Sequence, residues 1–202
     1  MEESPAEPAA SGPGRWIEDA ERVDLALYAA IARTPTPALD RAMSRLSRAA
    51  DYSMLSIASA GVLAATGGRT GRKAAAMGLA SVGVAAAFFN LVVKPLSNRS
   101  RPDRIAEQVP IARHVRMPTS TSFPSGHSAT AFAFAAGVGR VMPPAAVPLH
   151  ALAAAVAYSR VHTGVHYPGD VVAGAVSGTV VAQLTTHALD RKAARRAEPP
   201  GR

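Results

Sequence analysis

At 202 residues the chain has the size of one domain, and the absence of cysteine excludes disulfides and thiolate metal sites. The net charge of +8 is unevenly spread: residues 1–52 hold six arginines against nine acids (−3), and the remainder holds sixteen Lys/Arg against five acids (+11). A basic balance suits nucleic acid, an anionic membrane or anionic substrates. An aromatic content of 5%, with no basic–aromatic interleaving, argues against nucleic acid, and no such partner is expected.

Residues 1–14 are acidic and rich in Pro, Ser and Gly, which predicts a disordered tail and lacks the basic-then-apolar order of a signal peptide. Residues 15–51 predict two amphipathic interfacial helices, Trp16 to Arg33 and 38–51, separated by Pro35 and Pro37. From Tyr52 the chain turns apolar, with runs at 53–68, 74–93, 128–139, 144–158 and 171–189. The run 74–93 carries no charge and has the length that spans a bilayer, roughly 20 residues. Gly174 and Gly178 put a small-xxx-small face on the last run.

No strand alternation appears, so the expected fold is all-α: a multi-span transmembrane bundle of about five apolar helices over 52–190, N-terminal amphipathic helices, and a basic tail over 191–202. Mean hydropathy is only +0.09 and alanine supplies much of the apolarity, so a soluble bundle is the alternative. If all five runs span, 67–73, Arg140 and the RKAARR segment after Asp190 share one face, as the positive-inside rule asks of the cytoplasm. Residues 94–127 and 159–170 then lie on the extracytoplasmic face of a plasma-membrane protein.

That second face holds three polar clusters. KPLSNRSRP (94–102) closes the longest apolar run with Lys94, Arg99 and Arg101; FPSGHSAT (123–130) opens the next with Ser125, Gly126 and His127. SRVHTGVHYPGD (159–170) supplies Arg160, His162, His166 and Asp170. Each has an ordinary use: cations favour helix C-termini, and Ser125 and Asp170 are good N-caps. Together they suit a phosphate, which needs cations and backbone N–H donors at a helix start, with glycine permitting close approach. A neutral His166 oriented by Asp170 suits attack on phosphorus, and His127 suits protonation of the leaving oxygen. Residues 94–170 contain only three acids (Asp103, Glu107, Asp170), too few for a two-metal site, so no metal or cofactor is expected.

The ordered patterns K-x6-RP at Lys94–Pro102, PSGH at Pro124–His127 and SR-x5-H-x3-D at Ser159–Asp170 resemble the type 2 phosphatidic acid phosphatase (lipid phosphate phosphatase) superfamily. All three match without a departure. The resemblance implies a helical bundle, a metal-independent histidine-nucleophile mechanism and a phosphorylated lipid substrate. It implies His166 as the nucleophile oriented by Asp170, His127 as the general acid, and Lys94, Arg101, Ser125, Gly126 and Arg160 as the phosphate-binding set. Members of that family resemble six-span proteins, whereas residues 1–52 offer no first span.

His162 lies outside the motif and reads as a pocket residue or a structural hydrogen bond, and His150 and His187 as core or interfacial. Arg99, Arg104, Arg113, His114 and Arg116 read mostly as solvated, with one or two free to meet a second phosphate or headgroup. The leading expectation is an integral-membrane phosphatase for a polyprenyl or glycerolipid phosphate or diphosphate. The alternatives are a vanadium-dependent haloperoxidase, whose site resembles this one, and a catalytically silent lipid-phosphate-binding membrane protein.

Overall fold

The computed structural model describes residues 13–197. The expected tail lies outside the described residues except for Pro13 and Gly14, which open the first helix. Seven α-helices are present among the described residues: α1 (Pro13–Arg33), α2 (Pro37–Ala49), α3 (Met54–Thr66), α4 (Gly68–Phe88), α5 (Gly126–Gly139), α6 (Pro143–His162) and α7 (Pro168–Ala197). The five apolar runs became α3 to α7, and the amphipathic pair became α1 and α2. Prolines at the first turns of α2, α6 and α7 occupy positions where the missing N–H costs no helical bond.

Three boundaries differ from the sequence reading. α4 does not stop cleanly at the motif lysine: a π turn (Phe89–Val93) and a 3-10 turn (Lys94–Leu96) re-aim its last residues. α6 runs through to His162, so Arg160 sits on a helix rather than in a loop. α7 continues to Ala197, and most of the expected basic tail is helical, its alanines and arginines being strong helix formers.

α5 lies at the centre, against α4, α6 and α7. It is short, 14 residues or about 21 Å at 1.5 Å per residue, and its buried face is mainly alanine. Small residues let the helices close up. A Cβ at Gly178 would stand 2.1 Å from the Ala129 carbonyl oxygen, and one at Gly174 would stand 2.5 Å from that of Ser125. The small-xxx-small face is therefore the contact of α7 with α5, which brings the start of α7 beside the start of α5. Among the described residues, two segments are long and apolar enough to cross a membrane, Gly68–Leu96 and Pro168–Arg196. On the second, Val172, Val176, Val180 and Leu184 form an exposed apolar stripe at four-residue spacing.

The N-terminal helices dock by polar contacts and, on α1, through Tyr28 and Ala32 in an apolar cluster with Val109, Ala157, Val161 and Val171. On α1 the buried positions are Asp24, Tyr28 and Ala32, while Trp16, Ile17, Val23, Leu25 and Leu27 remain exposed. On α2 they are Asp40, Ser44 and Ser47. The anchor is Arg113, expected to be solvated and instead fully buried. Its Nε donates to Asp40 Oδ1 at 2.7 Å, and its terminal nitrogens donate to the carbonyls of Ile31, Ala32 and Thr34 at the end of α1. These are the carbonyls a helix C-terminus leaves without intrahelical partners. His162 Nε2 meets the same Asp40 oxygen at 3.0 Å, so of its two readings the structural bond holds. Burial alone would raise the Asp40 carboxyl, but hydrogen bonds from Thr36, Arg113 and His162 hold it below the usual range.

Arg113→Met should lower stability by about 3–5 kcal/mol, because Asp40 is left buried without its cation. Thermal unfolding in detergent checks this. Arg113→Met with Asp40→Asn should recover part of the loss, and a single variant that melts like wild type would show the pair to be dispensable.

Candidate active site

The three clusters meet at one end of the bundle. The α4 terminal turns carry Lys94, the following irregular segment carries Arg101, and the first turn of α5 carries Gly126 and His127. The last turn of α6 carries Arg160, the α6–α7 link carries His166, and the first turn of α7 carries Asp170. The Ser125 N–H donates to the Asp170 carbonyl at 2.9 Å and ties the two helix starts together. Ser125 Oγ accepts from the Ser128 N–H, so this serine is the N-cap that the sequence allowed. Its polar groups are thus used within the protein, leaving the Gly126 and His127 amides as the first-turn donors. A Cβ on Gly126 would lie in ordinary contact with Lys94 Nζ, at 3.6 Å, which puts that cation beside the helix start.

Asp170 is not an N-cap but sits at the third position of α7, where its Oδ2 accepts from the Tyr167 N–H at 2.9 Å, half of a capping box. The same oxygen faces His166 Nδ1 at 3.4 Å and accepts from Ser122 Oγ. Arg101 Nη1 lies 3.3 Å from His166 Nε2 and donates to the Val165 carbonyl at 2.7 Å. A guanidinium can only donate, so this contact requires a bare lone pair on Nε2, with the ring proton on Nδ1 toward Asp170. Burial pushes His166 down to about 4; the Asp170 bond opposes that shift, and the charges of Arg101 and Arg160 add to it. The imidazole is therefore neutral at neutral pH, with its lone pair turned toward Arg101.

Cations line the rest of the site. Lys94 Nζ donates to Ser120 Oγ at 3.3 Å, and Arg101 reaches the Ser120 and Thr121 carbonyls at 2.8 and 3.1 Å. Arg160 is buried, donates through Nη1 to Ser47 Oγ at 2.6 Å, and leaves its Nε without a partner. Two clefts open here: one of about 320 Å³ is lined by Arg160, His127, Ser120 and Arg116, and another of about 380 Å³ by Lys94, Gly126, His127 and Asn90. His127 lines both, and its Nε2 meets Asp51 Oδ1 at 2.9 Å. A multiply charged oxyanion entering these clefts would find cations and free helix N–H groups, while His166, 2% exposed and in contact with Arg101, lines neither cleft.

Several residues escaped the sequence reading. Arg99 is not solvated: it bridges Asp170 Oδ1 at 2.8 Å and Asp24 Oδ2 at 2.6 Å, and its guanidinium lies 4.5 Å from the centre of the Tyr167 ring. Asp24 also accepts from the Gly169 N–H at 2.6 Å. Arg104 donates to the carbonyls of Gly164 and Val115, and His114 meets that of Val109. The long 97–125 connection has few backbone bonds of its own, so its arginines satisfy carbonyls instead of facing water. Of that group, only Arg116 lines the site. Asp51, Ser120 and Ser122 carried no local signal. His150 is half-buried, with Nδ1 on the Ala146 carbonyl, and His187 is exposed in a separate cleft at the other end of the bundle.

Residues 74–194, more than half of the chain, match the model of the PAP2 superfamily, and the chain belongs to that superfamily. It is 38% identical over 98 residues to the decaprenylphosphoryl-5-phosphoribose phosphatase of Mycobacterium tuberculosis, covering 46% of this chain and 50% of that one. It is 35% identical over 99 residues to the lipid A 1-phosphatase of Rhizobium etli, covering 46% and 41%. The chain thus spans about half the length of the curated relatives it matches. The fold resembles that of a transmembrane PAP2-type phosphatidylglycerolphosphate phosphatase from Bacillus subtilis (TM-score 0.64, 24% identity, 86% and 87% of the two chains). It also resembles LpxE of Aquifex aeolicus (TM-score 0.67, 23% identity, 82% and 95%).

The His166 environment has a direct readout among the six histidines. In a histidine-labelled NMR titration, the resonance missing from His166→Gln should titrate near pH 4, well below the ordinary value of 6.5. A midpoint at 6.5 would contradict the burial and cation effects described here.

Proposed function

We propose that this protein is an integral-membrane phosphatase that hydrolyses a lipid phosphate or diphosphate through a phosphohistidine on His166, without a metal ion. The observation that carries the reading is the orientation of His166, with Nδ1 on a buried carboxylate and the Nε2 lone pair toward Arg101. In this reading Nε2 attacks phosphorus while Lys94, Arg101, Arg160 and the amides of the α5 first turn hold the phosphoryl oxygens; Ser125 shapes that turn. Asp170 stabilises the positive charge that the ring acquires, as the carboxylate of a triad does. His127 gives a proton to the departing oxygen, then takes one from the water that cleaves the P–N bond.

The membrane assignment is supported by the two long apolar segments, the exposed apolar stripe on α7 and the matching transmembrane folds. All five helices α3 to α7 would sit in the bilayer, with the basic ends of α4 and α7 cytoplasmic and the site on the outer face. α3 and α5, at 13 and 14 residues, are shorter than a bilayer core of about 30 Å and would cross only part of it. The curated relatives are named for a decaprenyl-linked phosphoribose and for lipid A, which supports a phosphorylated lipid and favours a polyprenyl carrier over a glycerolipid.

Phosphate release over undecaprenyl diphosphate, polyprenyl-phosphoribose phosphate, phosphatidylglycerol phosphate and phosphatidic acid should single out a polyprenyl substrate and persist in EDTA. Loss on chelation, restored by Mg²⁺, would overturn the metal-free mechanism.

His166→Ala should cost several powers of ten with both the lipid and p-nitrophenyl phosphate. His127→Ala should cost roughly 10²–10⁴-fold with the lipid, whose alkoxide needs a proton, and much less with p-nitrophenyl phosphate. Equal slowing of both substrates by His127→Ala would remove its role as the acid.

A further inference from the structure

Asp51 lies in the turn between α2 and α3, outside the three motifs and upstream of the residues that match the superfamily model. Its Oδ1 stands 2.9 Å from His127 Nε2 and 3.7 Å from Arg160 Nη1. The chain turns sharply to put it there, since Tyr52 and Ser53 both take left-handed backbone conformations, φ 55° and 59°. Non-glycine residues adopt such conformations at an energetic cost, and the conformations persist when the surroundings impose them. The carboxylate is not sealed away: its side chain is 43% exposed, on the wall of the cleft that His127 and Arg160 also line. With Nε2 taken by Asp51, the His127 nitrogen left for a substrate oxygen is Nδ1, which has no hydrogen-bond partner among the described residues.

We infer that Asp51 is the positioning residue of His127, doing for the proposed acid what Asp170 does for the proposed nucleophile. The inference rests on the phosphatase reading above. The carboxylate accepts the Nε2 proton, fixes the ring and stabilises the imidazolium, so that the Nδ1 proton faces the leaving group. As His166 Nε2 forms its bond to phosphorus, the P–O bond breaks and the leaving oxygen takes the Nδ1 proton. Neutral His127 then removes a proton from water as that oxygen attacks phosphorus. The P–N electron pair returns to His166, and inorganic phosphate leaves. Burial acts most strongly against protonation of His127, and the charges of Arg160 on α6 and of His166 in the α6–α7 link add to it. Asp51 is the carboxylate that opposes them.

The test uses the full chain in detergent, with a phosphorylated polyprenol and with p-nitrophenyl phosphate. Asp51→Asn should lower kcat on the lipid about 10–100-fold, within the range of a general acid's contribution, with little change in KM. It should leave p-nitrophenyl phosphate within about threefold, because that leaving group needs no proton. Asp51→Glu should restore part of the lipid activity, and Asp51→Asn combined with His127→Ala should be no slower than His127→Ala alone. An aspartate that merely braced the fold would slow both substrates together, and one that merely filled the empty site would give an Asn variant as fast as wild type or faster. Either result overturns the inference. Should Asp51→Asn fail to fold, ¹⁵N-histidine spectra of the wild type carry the test. The resonance missing from His127→Ala must show its proton on Nε2, and a bare Nε2 would overturn the inference equally. Inactivity of the wild type on every phosphorylated lipid, or survival of activity in His166→Ala, would instead defeat the phosphatase reading itself.

Discussion

Much of this end of the molecule is arranged around one buried carboxylate. Asp170 has no exposed surface, and an ionised group in that position must be surrounded by donors or it will not stay charged. Its four donors come from three places in the chain: Arg99 and Ser122 from the long connection, His166 from the link, and the Tyr167 amide at the start of α7. Its backbone carbonyl takes the Ser125 amide at the start of α5. Satisfying one aspartate therefore fixes the imidazole, folds the connection over the site and aligns two helix starts. The glycines at 174 and 178 make that alignment sterically possible by letting α7 lie on the backbone of α5.

A second constraint is charge. The charge of Arg101 acts on both Lys94 and Arg160 at this end of the bundle, and desolvation lowers Arg101 below its ordinary value. Such a cluster is costly when empty and favours a multiply charged oxyanion. The acidic N-terminal segment supplies part of the counterbalance. Asp24 on α1 holds Arg99, and through it Asp170; Asp51, after α2, meets Arg160 and His127. Each of the two histidines thus has a carboxylate of the N-terminal segment behind it, through Arg99 and Asp170 for His166 and directly for His127. The net −3 of residues 1–52 against the +11 that follows is seen here as a contact between the two parts of the chain.

What the sequence made legible was local. Apolar runs located the five bundle helices, prolines located the breaks around α2, and the three ordered motifs picked out residues that the fold then brought together. The unread parts depend on pairs far apart in the chain. Arg99 and Asp24 are separated by 75 residues, Arg113 and Asp40 by 73, and His127 and Asp51 by 76; no periodicity marks such partners. The docking of α1 was unread for a related reason: the helix meets the bundle through Asp24 and Tyr28 and leaves Trp16 and Ile17 outside, a choice its amphipathic pattern alone does not reveal. An arginine in a loop reads as solvated on frequency alone. In the 97–125 connection Arg101, Arg104 and Arg113 are drawn inward to carbonyls of the connection itself, of the α6–α7 link and of the end of α1.

The proposed covalent intermediate is the central claim, and it can be trapped. Wild-type protein mixed with ³²P-labelled lipid phosphate, quenched in base within milliseconds and digested, should yield one labelled peptide, the one containing His166. The label should be stable in base and released by acid, as a phosphoramidate is. His127→Ala should still acquire label from a substrate with a good leaving group and lose it slowly. Turnover without any labelled protein, or label on a peptide that lacks His166, would contradict the account.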